Sequence, residues 1–191
     1  MEAVQTYNRR NRINAQKFAL WAAMASIMMM FGAFTSAYIV KQASGNWLEF
    51  SLPQAFYFST GVILISSVLL HYSFVSFKSG MERRYRQFLI MSFIAGILFL
   101  ILQYLGWTDL FERGVDMKGN VSGSFLYLIT GVHALHVIGG LAALTVAMIH
   151  AFALKFTVTP KRINRFELVL HYWHFVDVLW IYLFLFLMFK K

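Results

Sequence analysis

The sequence contains no cysteine. Disulfides, thiolate-ligated haem, iron–sulfur clusters and copper or zinc sites that draw sulfur from cysteine are therefore excluded. Charge is the second shortage. Only 13% of the 191 residues are Asp, Glu, Lys or Arg, roughly half the ~25% of an ordinary soluble domain. A chain so poor in charge cannot cover itself with a water-facing surface. Hydrophobic residues make up 59% and aromatics 18%, and the mean hydropathy is +0.62; these values belong to a membrane protein. The formal net charge of +9 raises two partners, nucleic acid and anionic lipid. Because the basic residues stand beside apolar runs, the lipid surface is the better reading, with no nucleic acid.

Five apolar runs lack Lys and Arg: 18–40, 55–77, 88–107, 125–154 and 168–189. Each reaches the ~20 residues that a helix needs to cross a ~30 Å hydrocarbon layer. Backbone in lipid must satisfy its own hydrogen bonds, so such runs form helices or a closed barrel. Barrel strands would be shorter and would alternate in polarity. The sequence thus predicts an all-α integral membrane bundle of five transmembrane helices, a single transmembrane domain over residues 1–191. The first run is longer than the roughly 7–15 residues of a cleaved signal and is expected to remain as an anchor.

The flanking charges give an orientation. Arg9, Arg10, Arg12 and Lys17, then Lys78, Arg83, Arg84 and Arg86, then Lys155, Lys161, Arg162 and Arg165 fall on one side. Lys41, Arg113, Lys118, Lys190 and Lys191 fall on the other. Twelve against five places the N-terminus in the cytoplasm and the C-terminus in the periplasm. The stretch from Thr108 to Ser124 reads as an external loop. Gly32 with Ser36, and Gly139 with Ala143, have the small-residue spacing that lets helices approach. Tyr38, Tyr57, Trp107, Tyr172 and Trp173 fit interfacial belts. No internal repeat is evident, which weighs against an inverted-repeat transporter.

Ionisable residues inside a membrane are costly and mark the first place to look for function. They are His71, His133, His136, His150, His171, His174 and Asp177. His133/His136 and His171/His174 each have the i, i+3 spacing that puts two side chains on one helix face. Metal and haem ligands use that spacing too. Depth argues against one shared site, since the fourth and fifth helices run in opposite directions and the pairs fall at different levels. The simpler reading is a structural polar network, in which neutral imidazoles donate and accept between helices. Asp177 lies near mid-membrane and should be protonated or paired; His136 or His133 is its expected partner. A proton relay would need more acidic stations, and the first three runs hold no Asp or Glu.

Two segments resemble a known family. Phe125-Leu-Tyr-Leu-Ile-Thr-Gly-Val-His-Ala-Leu-His-Val-Ile-Gly-Gly, and Phe166-Glu167 followed by Tyr172-Trp-His-Phe-Val-Asp-Val-Leu-Trp180, are similar to the last helices of subunit III of the haem–copper terminal oxidases. Gln103 with Trp107, and Ala25-Ser26 with Phe31 and Tyr38, extend the resemblance more loosely upstream. It implies the five-helix bacterial form of the family, in a bacterial inner membrane. It also implies a non-catalytic subunit with no haem, copper or other cofactor of its own. Such a subunit packs on the catalytic subunit I beside subunit II, holds phospholipid and supports proton uptake during reduction of oxygen to water, with cytochrome c the favoured donor. On the same grounds His133, His136, His171, His174 and Asp177 are structural, and Lys155 and Glu167 are phospholipid contacts.

Departures from the family pattern limit what carries over. Ile27 stands where an acidic residue usually follows Ala-Ser, Gly106 where a glutamate precedes the tryptophan, and Arg162 and Ile163 where a histidine pair precedes Phe-Glu. A role that depends on those carboxylates does not transfer. Two other classes stay in view: a self-contained membrane haem or metal oxidoreductase using the paired histidines, and a small transporter or lipid-binding scaffold.

Overall fold

A computed structural model describes residues 2–43, 45, 47–117 and 119–190, with side chains from Ala15 onward. The side chains of Arg9, Arg10 and Arg12, and residues Lys118 and Lys191, counted above for orientation, lie outside the described residues. Five helices follow in order: α1 (Glu2–Ala43), α2 (Gln54–Lys78), α3 (Glu82–Glu112), α4 (Val121–Ala153) and α5 (Pro160–Phe189). All five contain stretches long and apolar enough to cross a membrane.

The helices outrun the apolar runs that announced them. α3 continues to Glu112 and α4 starts at Val121, so the expected external loop from Thr108 to Ser124 shrinks to the residues between those bounds. α5 starts at Pro160 rather than near residue 168. The reason is capping. Gly80 and Gly114 adopt φ of 74° and 80°, which only glycine accepts cheaply. Behind Gly80, Met81 N–H bonds Ser76 C=O at 2.9 Å and Gly80 N–H bonds Phe77 C=O at 3.1 Å. Val115 and Gly114 repeat the pair onto Leu110 and Phe111, both at 3.0 Å. Both are Schellman closures. Asn120 accepts from Ser122 N–H at the start of α4. Thr159 accepts from Arg162 N–H at the start of α5, with Pro160 in the first turn, where its missing N–H costs nothing.

Four helices close a ring. α2 packs on α3, α3 on α4, α4 on α5, and α5 back on α2. α1 lies outside it, against α4 and α5, and touches neither α2 nor α3 among the described residues. Where α2 and α3 face each other, their buried residues fall at alternating steps of three and four. On α2 these are Phe56, Ser59, Ile63, Ser66, Leu70, Ser73 and Phe77, with Ser76 buried beside the last. On α3 they are Tyr85, Leu89, Ser92, Gly96, Phe99, Gln103, Gly106 and Leu110. A 3.5-residue period is the seam of left-handed, knobs-into-holes packing.

What fills those seams suits lipid. Two helices gain little by turning leucine from lipid toward each other, so close packing and hydrogen bonds must hold them. Ser66 Oγ donates to Ser92 C=O at 2.8 Å, and Ser92 Oγ returns a bond to Ser66 C=O at 2.9 Å. Gln103 Nε2 donates to Ser59 Oγ at 2.8 Å. Ser73 Oγ donates to Tyr85 C=O at 3.0 Å.

The close glycines are not the expected ones. A Cβ on Gly32 would meet nothing within 4 Å, and one on Gly139 only Tyr172 Oη at 3.6 Å. On Gly96 it would meet Trp173 at 2.8 Å, on Gly140 Trp173 at 2.9 Å, and on Gly106 it would run into the Phe56 ring. These three glycines make room for rings from facing helices. Two residues assigned to interfacial belts also lie inside: Trp173 is 1% exposed and Tyr38 2%.

Candidate functional site

Interior polar groups form two separate constellations. On α4, His133 is fully buried among rings, with centroids of Trp180 at 5.1 Å, Phe99 at 6.0 Å and Phe31 at 6.3 Å. Neither ring nitrogen has a hydrogen-bond partner within the described chain. His136, one turn on, donates from Nδ1 to Val132 C=O at 2.7 Å, and its own carbonyl accepts from Tyr172 Oη at 3.1 Å.

The second constellation joins α2 to α5. Asp177 is 2% exposed and its carboxyl faces Ser67. Ser67 Oγ is hydrogen-bonded to His174 Nδ1. The His174 ring lies 6.0 Å from that of His71. Of these contacts only Ser67–His174 is a hydrogen bond; the Asp177 carboxyl oxygens make none. Ser67 was absent from the expected network, although its i, i+4 relation to His71 on one helix face could have marked it.

The expected bond from Asp177 to His133 or His136 is not made. Both carboxyl oxygens of Asp177 and both nitrogens of His133 lack hydrogen-bond partners. The cause is steric. The Trp180 indole, one turn beyond Asp177, packs against the His133 ring at 5.1 Å. Its Nε1 donates to Thr60 Oγ1 at 2.9 Å, which holds the ring in place.

The histidine pairs stay apart. His171 is exposed, donates from Nδ1 to Glu167 C=O at 2.6 Å, and lies 6.4 Å from the Trp21 ring. Among the described residues no group of three or more His, Cys, Asp or Glu side chains is placed to hold a metal ion. The arrangement can donate and accept hydrogen bonds between helices. It does not gather ligands.

At the end where α4 stops and α5 begins, a cleft of about 360 Å³ opens. Its lining combines Lys161, Arg162, Arg165 and His150 with Phe77, Tyr85, Ala143, Val146 and Ala147. Arg162 pins the connection by donating to Lys155 C=O at 2.8 Å and Thr157 C=O at 3.3 Å. Glu167 forms an ion pair with Lys17 of α1 at 2.9 Å. A lining that joins basic and apolar side chains suits an anionic amphiphile.

Comparison with known proteins gives a consistent result. The sequence profile of the family described as "Cytochrome c oxidase subunit III" matches residues 48–190. A probable cytochrome c oxidase subunit 3 from Mycobacterium tuberculosis is 31% identical over 186 residues, covering 95% of this chain and 89% of that protein. Another from Nocardia farcinica is 31% identical over 193 residues, covering 96% and 90%. The cytochrome c oxidase subunit 3 of Mus musculus is 35% identical over 126 residues, 66% of this chain and 46% of the mouse protein.

Proposed function

The chain belongs to the cytochrome c oxidase subunit III family, and on that ground we propose that it works as the non-catalytic, cofactor-free subunit of its oxidase. It is a multi-pass membrane protein and a subunit of a haem–copper oxidase complex. Its whole length acts as one transmembrane unit that steadies the catalytic subunit I, alongside subunit II, and supports proton uptake while oxygen is reduced to water. Haem and copper reside in those partners, with cytochrome c as donor. Its bacterial relatives favour a bacterial inner membrane. The balance of basic residues favours a cytoplasmic N-terminus and a periplasmic C-terminus.

The observation that carries this reading is where the polar side chains are used. Ser66 with Ser92, Gln103 with Ser59, Trp107 with Thr130 and Trp180 with Thr60 all tie one helix to another. Of the expected network, His174 bonds Ser67 of α2; His133, His136 and His171 pack on rings of neighbouring helices, and the same structural service extends to them and to Asp177 by this proposal. The alternative of a self-contained haem or metal oxidoreductase needs converging histidines, and these point to different helices.

The same reading assigns a phospholipid to the cleft at the start of α5. Lys161, Arg162 and Arg165 would face its phosphate, with Lys155 and Glu167 beside the headgroup and acyl chains along Ala143 and Ala147. Replacing Lys161 and Arg165 by alanine should lower the phospholipid that co-purifies with the complex, measured by phosphorus analysis; unchanged phosphorus removes the assignment.

The proposed role is tested by preparing the oxidase with and without this chain. The depleted complex should keep its haem and copper absorption while its activity decays sooner during turnover. Loss of a haem or copper signal along with the chain would overturn the reading.

A further inference from the structure

Three buried polar atoms of α5 make no hydrogen bond within the described chain: both carboxyl oxygens of Asp177 and Nε1 of Trp173. The two residues are 2% and 1% exposed. They stand four apart, so one turn of helix brings them to the same face. Bulk water does not reach a helix interior in lipid, and a buried hydrogen-bonding group without a side-chain partner calls for another kind.

The contacts of the indole fix which way its N–H points. A Cβ on Gly96 of α3 would meet Cη2 at 2.8 Å and Cζ2 at 3.0 Å. One on Gly140 of α4 would meet Cε3 and Cζ3, on the opposite long edge, at 2.9 Å. Nε1 shares the edge of Cζ2, so the N–H is turned to the α3 side and away from α4. The Asp177 carboxyl faces Ser67 of α2, and α2 packs between α3 and α5. Both groups therefore open on the sector bounded by α2, α3 and α5. Short side chains line it: Ser66 and Ser92 meet across the α2–α3 seam at 3.1 Å, and Gly96 stands one turn beyond Ser92. The Asp177 carboxyl ends close to its own backbone while the indole reaches across to α3, which leaves a step beside the ring.

The pair also selects its ligand. An indole N–H only donates, whereas a carboxyl group accepts. A ligand between them must accept one hydrogen bond and donate another, which water does. A metal ion would face the donor edge of the indole and a single carboxyl, far short of the oxygen ligands that hard cations take. A lipid headgroup is kept out by the four helices that close around the sector. We infer that the ring holds a bound water between Asp177 and Trp173, which accepts from the indole N–H and donates to the carboxyl group. Its service is to let a carboxyl group stay in the core without a charged partner. The site stands independently of the oxidase reading.

The test is X-ray hydroxyl-radical footprinting of the full chain in its native complex, in which radicals formed from a bound water oxidise the side chain beside it. Trp180 is the control, because it is fully buried and its Nε1 already bonds Thr60. Trp173 should take up oxygen about fivefold faster than Trp180, read by mass spectrometry. Asp177→Leu should lower the Trp173 rate about threefold and leave that of Trp180 unchanged. Equal rates at the two indoles, or a Trp173 rate indifferent to Asp177→Leu, overturn the site. Should Asp177→Leu fail to assemble, electron cryomicroscopy of the unsubstituted complex, at a resolution that shows waters, decides. Density within hydrogen-bond distance of both Nε1 and the carboxyl group supports the site. A direct bond from Trp173 to Asp177, no density between them, or a cation ringed by oxygen ligands overturns it.

Discussion

α1 and the ring of α2 to α5 are held by different means. The ring is closed by seams in which serines, glycines and rings interlock, as where Gly96 and Gly140 leave the space that Trp173 fills. α1 presents Phe18, Trp21, Met28 and Met29 outward at 75%, 61%, 61% and 70% exposure. Two buried rings, Phe31 and Tyr38, seat it on the core, and polar hooks add to them: Lys17 to Glu167, Thr35 to Tyr182 at 2.8 Å, and Tyr38 Oη to Lys190 C=O at 3.0 Å. The family profile covers residues 48–190, which is the ring without α1. The lesson is that shape holds the ring while separate bonds add to the hold on α1; relatives align across both, over 95% and 96% of the chain.

The strongest way to break this contrast is to empty a seam. Trp173→Ala should cost about 3–5 kcal/mol, as deletion of a buried ring does, measured as the unfolding free energy in mixed micelles titrated with SDS. Trp21→Ala on α1 should stay within about 0.5 kcal/mol, the range of a surface change. Next comes overfilling. Gly106→Leu drives a side chain into Phe56 and should cost about 1–3 kcal/mol, whereas Gly32→Leu meets open space and should cost at most ~0.5 kcal/mol. Equal costs at the two glycines would make α1 part of the interlocked core. The smallest effects belong to single hydrogen bonds. Ser66→Ala in the ring and Tyr182→Phe at the α1 hook should each cost about 0.6 kcal/mol, with a ceiling near 1.7. A Tyr182→Phe cost above that of Gly106→Leu would mean that the hooks govern stability.

The five spans were legible because apolar length alone settles them. Their ends were not, because absence of charge marks where lipid begins, whereas helices stop where caps stop them. The signals were present in Gly114, Asn120 and Thr159-Pro160. The seams were hidden for a reason specific to membranes: both faces of each helix are apolar, so hydrophobic periodicity vanishes. The period survives only in the small and polar residues, with Ser59, Ser66 and Ser73 seven apart. Of the intramembrane groups, sequence identified His133, His174 and Asp177 but not their orientation. Asp177 turned toward Ser67 because Trp180 occupies the space beside His133, a fact of three helices that no spacing on one of them contains.

The most direct test is the metal content of this chain after gentle dissociation from its oxidase. Elemental analysis with visible spectroscopy should find iron and copper with the partner subunits and none in proportion to this chain. Iron or copper retained in a one-to-one ratio, and lost when His133, His136, His171 or His174 is replaced, would contradict the account.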